Sequence, residues 1–308
     1  MSQHPLPPKR CPPLDAGRRP RACASRLSAF RAVQPRRAFI GFTLVELLVV
    51  IAIIAVLTGL LLSSVSRAKA KGQGLVCQSN QRQLHLAWTL YSGDNGDRLV
   101  YNLGGDAAKK TILTNISYNW VNNVMDWELT PDNTNLALIQ NAKLGPYAGR
   151  SVEVFRCPSD FVLSDLQRQA GWSRRTRSVS MNAMVGHVGG ASRGGTNLNN
   201  PDYRQFLRLG EFPDPSRIFV FIDEHPDSIS DGYFLNREND REWLHLPASY
   251  HNDSANLSFA DGHGESHRWR MADTRPPSKP DAAFLPMPVP DATRVDFDWL
   301  MEHTSVER

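Results

Sequence analysis

Three groups of residues in this chain have the types and spacing to do chemistry. Near the C-terminal end stand His251, Asp261, His263 and His267, with Gly262 beside the acid. A His–Asp pair can move protons, and imidazole with carboxylate can hold a metal ion. His263 and His267 have ligand spacing only on a helix, and Gly262 and Gly264 argue against one. Asp261-Gly262 sits between two alternating segments, Asn256–Ala260 and Glu265–Trp269, which reads as the turn of a β-hairpin. Gly262 supplies positive φ, and Asp261 can bond local amides. His251 would then be a polar clip, reaching back to Asp261 or to Asp223-Glu224. His251 and Asp261 stay weak metal candidates, no metal is assigned, and no residue is assigned a catalytic role.

The second group is cysteine. Cys77 and Cys157 leave two readings open, a Cys77–Cys157 disulfide or two free thiols. There is no CxxC, so the spacing does not suggest zinc. The third is Glu46, a lone charge inside an apolar run. Two further patterns fail on context. Gly190-Ala191-Ser192-Arg193-Gly194 fits G-x-S-x-G, but a nucleophile elbow needs a strand before it and a helix after it, and here loop lies on both sides. Ser92–Asp97 is rich in oxygen ligands, yet position 12 counted from Asp94 is Gly105 and not Glu. It reads as a turn; a structural calcium ion is the weaker option, and no other cofactor is expected.

The element that positions Glu46 is a helix. Phe42–Leu62 is 21 residues, which as a helix spans about 31 Å, the hydrocarbon thickness of a bilayer. A carboxylate there costs a few kcal/mol and usually has a partner. From Ser63 to Tyr91 the pattern turns amphipathic, with Val65, Leu75, Val76, Leu84, Leu86, Trp88 and Leu90 among polar residues. Gly72 and Gly74 predict a bend or a melted turn there.

Gly41-Phe42-Thr43-Leu44-Val45-Glu46 resembles the processing site of type IV prepilins and type II secretion pseudopilins. The resemblance implies cleavage between Gly41 and Phe42 by a prepilin peptidase, N-methylation of Phe42, and an assembly role for Glu46. The cut frees an amine with a pKa of about 8, mostly cationic, which a Glu46 carboxylate in the same or a neighbouring chain can neutralise. An ordinary secretory signal cut at Ala68-Lys69-Ala70 fits less well: the apolar run is long, holds Glu46, and Arg67, Lys69 and Lys71 crowd the site.

Processing at Gly41 would change the charge. The whole chain carries 35 basic and 31 acidic residues, net +4. Residues 1–41 hold nine Lys or Arg and one acid, Asp15; without them 26 basic and 30 acidic residues are left, net −4. The mature chain is mildly acidic, so nothing argues for nucleic acid as a partner. The basic leader fits the positive-inside rule, with the leader cytoplasmic and the body extracytoplasmic. Cys11 and Cys23 leave with the leader.

Beyond residue 93 the chain reads as short strands and loops. Tyr118–Leu129 predicts a strand or two, Asn135–Leu144 a short helix and Val152–Phe155 a short strand. Arg177–Met184 and Arg217–Asp223 predict strands, the latter buried. Residues 276–290, with six prolines, read as an extended tail, and Val295–Leu300 as a last helical turn.

His251 and Asp261-Gly262 enclose nine residues. That resembles the C-terminal signature of a large group of bacterial prepilin-like proteins, named for His, nine residues and Asp-Gly. Cys77, Asn80, Leu84, Trp88, Tyr91 and Asp94-Asn95, with Cys157-Pro158, also resemble that group.

The expected organisation is therefore a leader (1–41), a long helix (42–92) whose residues 42–62 cross the membrane, a β-rich globular domain (93–275) and a Pro-rich tail (276–308). The fold class is α+β, pilin-like, with the helix packed on an antiparallel sheet. The expected protein is a structural pilin or pseudopilin subunit of the inner membrane, not an enzyme. Its partners are the prepilin peptidase/methyltransferase, other pilin-like subunits, an inner-membrane assembly platform and the bilayer. The alternative is an anchored or filament-displayed binding module that stacks Trp120, Trp127, Trp172 or Tyr203 on a glycan or surface polymer. A third, an anchored hydrolase, would rest on His251 and Asp261.

Overall fold

The computed structural model describes residues 41–114, 118–189, 192–193, 196–280 and 284–308. The basic leader, residues 1–40, lies outside them, as do three residues of the G-x-S-x-G pattern. The chain divides into two compact units, one ending at Ile54 and one from Ala55 to Arg308.

The fold is α+β: a long N-terminal helix followed by a mixed-sheet domain, which fits a pilin-like architecture. Helix α1 runs unbroken from Leu44 to Asp94. The bend expected at Gly72 and Gly74 is absent. The reason is visible at Gly74, where a Cβ would come 3.3 Å from Cγ of His251. The glycine admits an imidazole against the helix instead of breaking it.

Every residue from Gly41 to Lys69 is exposed. The helix from Leu44 is long and apolar enough to cross a membrane. Toward its other end one stripe is buried: Cys77, Gln81, Leu84, His85, Trp88, Tyr91 and Ser92. These recur every three or four residues and so share one helix face. The expected apolar face is only partly the buried one, since Leu75, Val76, Leu86 and Leu90 are exposed.

The body follows with α2 (Gly105–Leu113), α3 (Ala137–Gln140) and α4 (Asp165–Gln169). Ser164 and Gln167 close α4 with a capping box. Then come β1 (Val179–Asn182), β2 (Ser192–Arg193), β3 (Thr196–Asn197), β4 (Phe219–Asp223), β5 (Tyr233–Phe234), β6 (Glu242–Trp243), β7 (Ser254–Phe259), β8 (Gly264–Arg268), β9 (Met287–Pro288) and α5 (Val295–Glu302). Five of them make one sheet, in the order β5-β1-β4-β7-β8. All neighbours are antiparallel except β1 and β5, which run parallel. The expected purely antiparallel sheet is thus mixed, because the chain leaving β4 returns on the far side of β1.

Both faces of the sheet are covered. Val179, Met181, Val220 and Phe221 pack with Leu84, Trp88 and Tyr91 of α1. Phe219, Ile222, Ala255, Leu257 and Phe259 pack with Phe297, Leu300 and Met301 of α5. A bulge between Phe219 and Phe221 reassigns the faces of β4. Two expected strands do not form. Tyr118–Leu129 is irregular, with a single bridge from Asn119 to Tyr101. Val152–Phe155 is a 3₁₀ turn over Glu153–Phe155. Residues three apart eclipse in such a turn, which buries Val152 and Phe155 together. The expected extended tail contributes β9, paired with β6.

Candidate processing motif and buried side-chain cluster

The first turn of α1 is locally self-sufficient. Thr43 Oγ1 accepts from the Glu46 backbone N–H at 3.2 Å. Glu46 Oε2 accepts from the Thr43 backbone N–H at 2.9 Å and from its hydroxyl at 2.7 Å. Thr43-Leu44-Val45-Glu46 is therefore a capping box, which satisfies donors that a helix start leaves orphaned. The T-x-x-E spacing is the sequence signal for this cap. Gly41 and Phe42 precede the helix and are exposed, Phe42 at 67%.

The second site lies within the body. Cys77 comes from α1, Cys157 from the chain after the 153–155 turn, Asp223 from the end of β4, and His251 from the turn before β7. One ligand atom of each lies within 4.8 Å of the others, and all four residues are buried. Cys77 Sγ–H donates to Asp223 Oδ1 at 3.2 Å and Oδ2 at 3.0 Å. Cys157 Sγ lies 3.1 Å from His251 Nε2, and that nitrogen lies 3.9 Å from Asp223 Oδ2. Cys77 and Cys157 are free thiols here.

A surrounding set of amides holds the cluster. Gln81, one turn after Cys77, donates to Asp223 Oδ1 at 3.0 Å and to the Asn256 carbonyl at 2.8 Å. The Asn256 backbone N–H donates to Asp223 Oδ2 at 3.3 Å, and its side chain to the Gly74 carbonyl at 3.1 Å. The Ser159 N–H donates to Cys157 Sγ at 3.4 Å. Burial pushes the Asp223 carboxyl up to about 6, against the pull of these donors. Burial also raises both thiols and lowers His251. Chemically the four groups can hold a cation, or the two sulfurs can join.

The two ends of the expected His251–Asp261 clip part company. His251 enters the cluster, while Asp261 accepts from His263 Nδ1 at 2.6 Å and from its backbone N–H at 3.0 Å on the surface. Gly262 has φ +93°, and a Cβ there would meet His85 Nε2 of α1 at 3.4 Å. The hairpin turn thus rests on the helix. His267 stacks on Trp299, centroids 3.5 Å apart. Asp94, in the calcium-like turn, accepts from the Tyr147 hydroxyl at 3.1 Å. Trp120 is fully buried against Phe155 and Phe221, so it is not open to a glycan. Trp127 carries the Arg175 guanidinium over its ring at 4.0 Å.

Asp223 is the site residue the sequence named only in passing. Cys77, Cys157, Asp223 and His251 come from four distant segments, so spacing carries no signal for their meeting.

Comparison with known families gives one match. The prokaryotic N-terminal methylation motif matches residues 36–62. No curated protein and no solved structure matches the chain. The chain is prepilin-like at its N-terminus. The motif implies processing by a prepilin peptidase and assembly with other pilins. With the apolar helix that the described residues hold at the same place, it points to a single-pass, membrane-anchored protein.

Proposed function

We propose that this protein is a pilin-like structural subunit, cut between Gly41 and Phe42 and N-methylated on Phe42. The observation that carries this reading is positional. The matched motif, residues 36–62, coincides with an exposed apolar helix whose first turn holds Glu46. After the cut, Phe42 to Leu62 stays in the inner membrane, with the leader's side cytoplasmic and the body extracytoplasmic. Such helices associate by packing in lipid and by satisfying polar groups there. A Glu46 carboxylate neutralising a Phe42 amine supplies the register for a type II secretion or type IV pilus-like filament, built on an inner-membrane assembly platform. The body belongs with the His, nine-residue, Asp-Gly group, and its role is structural rather than catalytic.

Mass spectrometry of the N-terminus of the membrane-extracted protein tests the reading. A methylated Phe42 start is expected. An intact leader, or a start near Lys71, overturns it. Glu46→Val should be processed but fail to enter filaments, and normal assembly of that variant would remove Glu46 from the mechanism.

A further inference from the structure

We propose that Cys77, Cys157, Asp223 and His251 form a structural zinc site that fastens α1 to the sheet. This does not rest on the filament reading. It departs from the expectation of no cofactor beyond the weaker option of a structural calcium ion, and from the reading of the cysteine spacing as arguing against zinc.

The geometry comes first. A tetrahedral zinc, with Zn–S about 2.3 Å and Zn–N or Zn–O about 2.0 Å, has ligand–ligand edges of about 3.3–3.8 Å. Three of the six separations, 3.0, 3.1 and 3.9 Å, bracket that range, and no pair exceeds 4.8 Å.

The donor set comes second. Calcium and magnesium take oxygen ligands, and copper(I) is selected by soft thiolate and thioether. Two sulfurs, an imidazole and a carboxylate suit zinc. All four donors are buried and all come from the protein, which leaves no open position; this is the pattern of a structural site rather than a catalytic one.

The third argument is what the site lacks otherwise. Among the described residues, His251 is the basic group within 4.0 Å of the Asp223 carboxylate. The buried Asp223 carboxylate thus faces the two sulfurs with no Lys or Arg of the described residues within 4.0 Å to supply positive charge. Zinc supplies that charge, and the thiol protons leave to solvent as the metal binds. A disulfide would consume both sulfurs and leave Asp223 and His251 facing each other without a cation. The outer amides already hold the ligands: Gln81 and Asn256 on Asp223, and Ser159 on Cys157.

The test uses the full mature protein in detergent, prepared without chelator. About one zinc per chain is expected by elemental analysis. Stripping it should lower the melting temperature by roughly 10 °C, the shift of a ligand held at about a thousand times its Kd. Refilling with cobalt(II) should give a thiolate-to-cobalt absorption band. Cys77 and Cys157 are the cysteines of the chain from Phe42 onward, so the band reports on them. Cys157→Ser should weaken the band, and Gln81→Met, which keeps all four ligands, should lower cobalt affinity about tenfold. The proposal is overturned if wild-type protein neither contains nor takes up zinc and gives no cobalt band, or if unreduced peptide mapping shows a Cys77–Cys157 disulfide.

Discussion

The two ends of α1 are held by different physics. Between Leu44 and Leu62 the side chains are mostly apolar and all exposed, and Glu46 is satisfied locally by hydrogen bonds with Thr43. Between Cys77 and Ser92 the buried face is half polar, and Cys77, Gln81 and the neighbouring Gln78 hydrogen-bond to Asp223, Asn256 and Gly264, 142 to 186 residues away in sequence. One end suits a solvent of lipid and like helices, where every backbone group must be satisfied within the helix. The other is a core element that folds only with its domain. A hydrophobicity profile ranks the first end as the more buried, and in the folded chain the reverse holds.

The sharpest break of that contrast is a pair of truncations. Trp88→Ala should cost the body about 3–5 kcal/mol, because it empties a fully buried indole site beside Phe212. Ile53→Ala, at an exposed position, should leave body stability within about 0.5 kcal/mol. Urea unfolding in detergent, followed by tryptophan fluorescence, measures both.

Acid should loosen the buried end next. Burial holds the pKa of His85 at about 4 against 6.5 for the free side chain, with the Asp261 charge opposing. Its contribution is complete above pH 6.5 and is lost as pH falls from 6.5 toward 4, because the unfolded chain then binds the extra proton. Unfolding free energy should drop by up to about 3 kcal/mol across that window. His85→Gln should flatten that part of the curve.

At the membrane end Thr43→Ala removes the cap and should cost about 1 kcal/mol of helix stability. Faster amide exchange of Val45 and Glu46 would report it, with exchange around Trp88 unchanged. The smallest test is one of sign. Gly72→Ala has open space and should stabilise the helix by about 0.5–1 kcal/mol. Gly74→Ala forces the His251 ring to move and should not stabilise it, despite the same gain in helix propensity.

Much of the architecture was legible. Continuous apolar residues marked α1, the Arg217–Asp223 run marked β4, and Asp-Gly between alternating segments marked the β7–β8 hairpin. The failures share a cause. Val152–Phe155 has the composition of a strand but lacks a neighbour to pair with, so it closes on itself; the Asn80 side chain takes the Glu153 and Arg156 carbonyls at 2.9 and 3.2 Å. Gly72 and Gly74 read as weak points because propensity counts only the helix and not the ring that needs the space. Arg177 shows no signal at all in the sequence. It is fully buried, donating to the Val179 and Ser230 carbonyls at 2.7 Å each, and burial lowers it to about 10.

By itself the sequence determined the anchor, the processing motif and the charge reversal that removal of the leader would bring. Those depend on residues adjacent in the chain, where period, composition and a T-x-x-E cap act over one or two turns. Only the tertiary structure decided which face of α1 is buried and that His251 leaves Asp261 for Cys77, Cys157 and Asp223. Those contacts join residues 28 to 174 positions apart, so no local pattern encodes them. They exist because the sheet must be covered, and the helix that covers it brings Cys77 and Gln81 onto the end of β4.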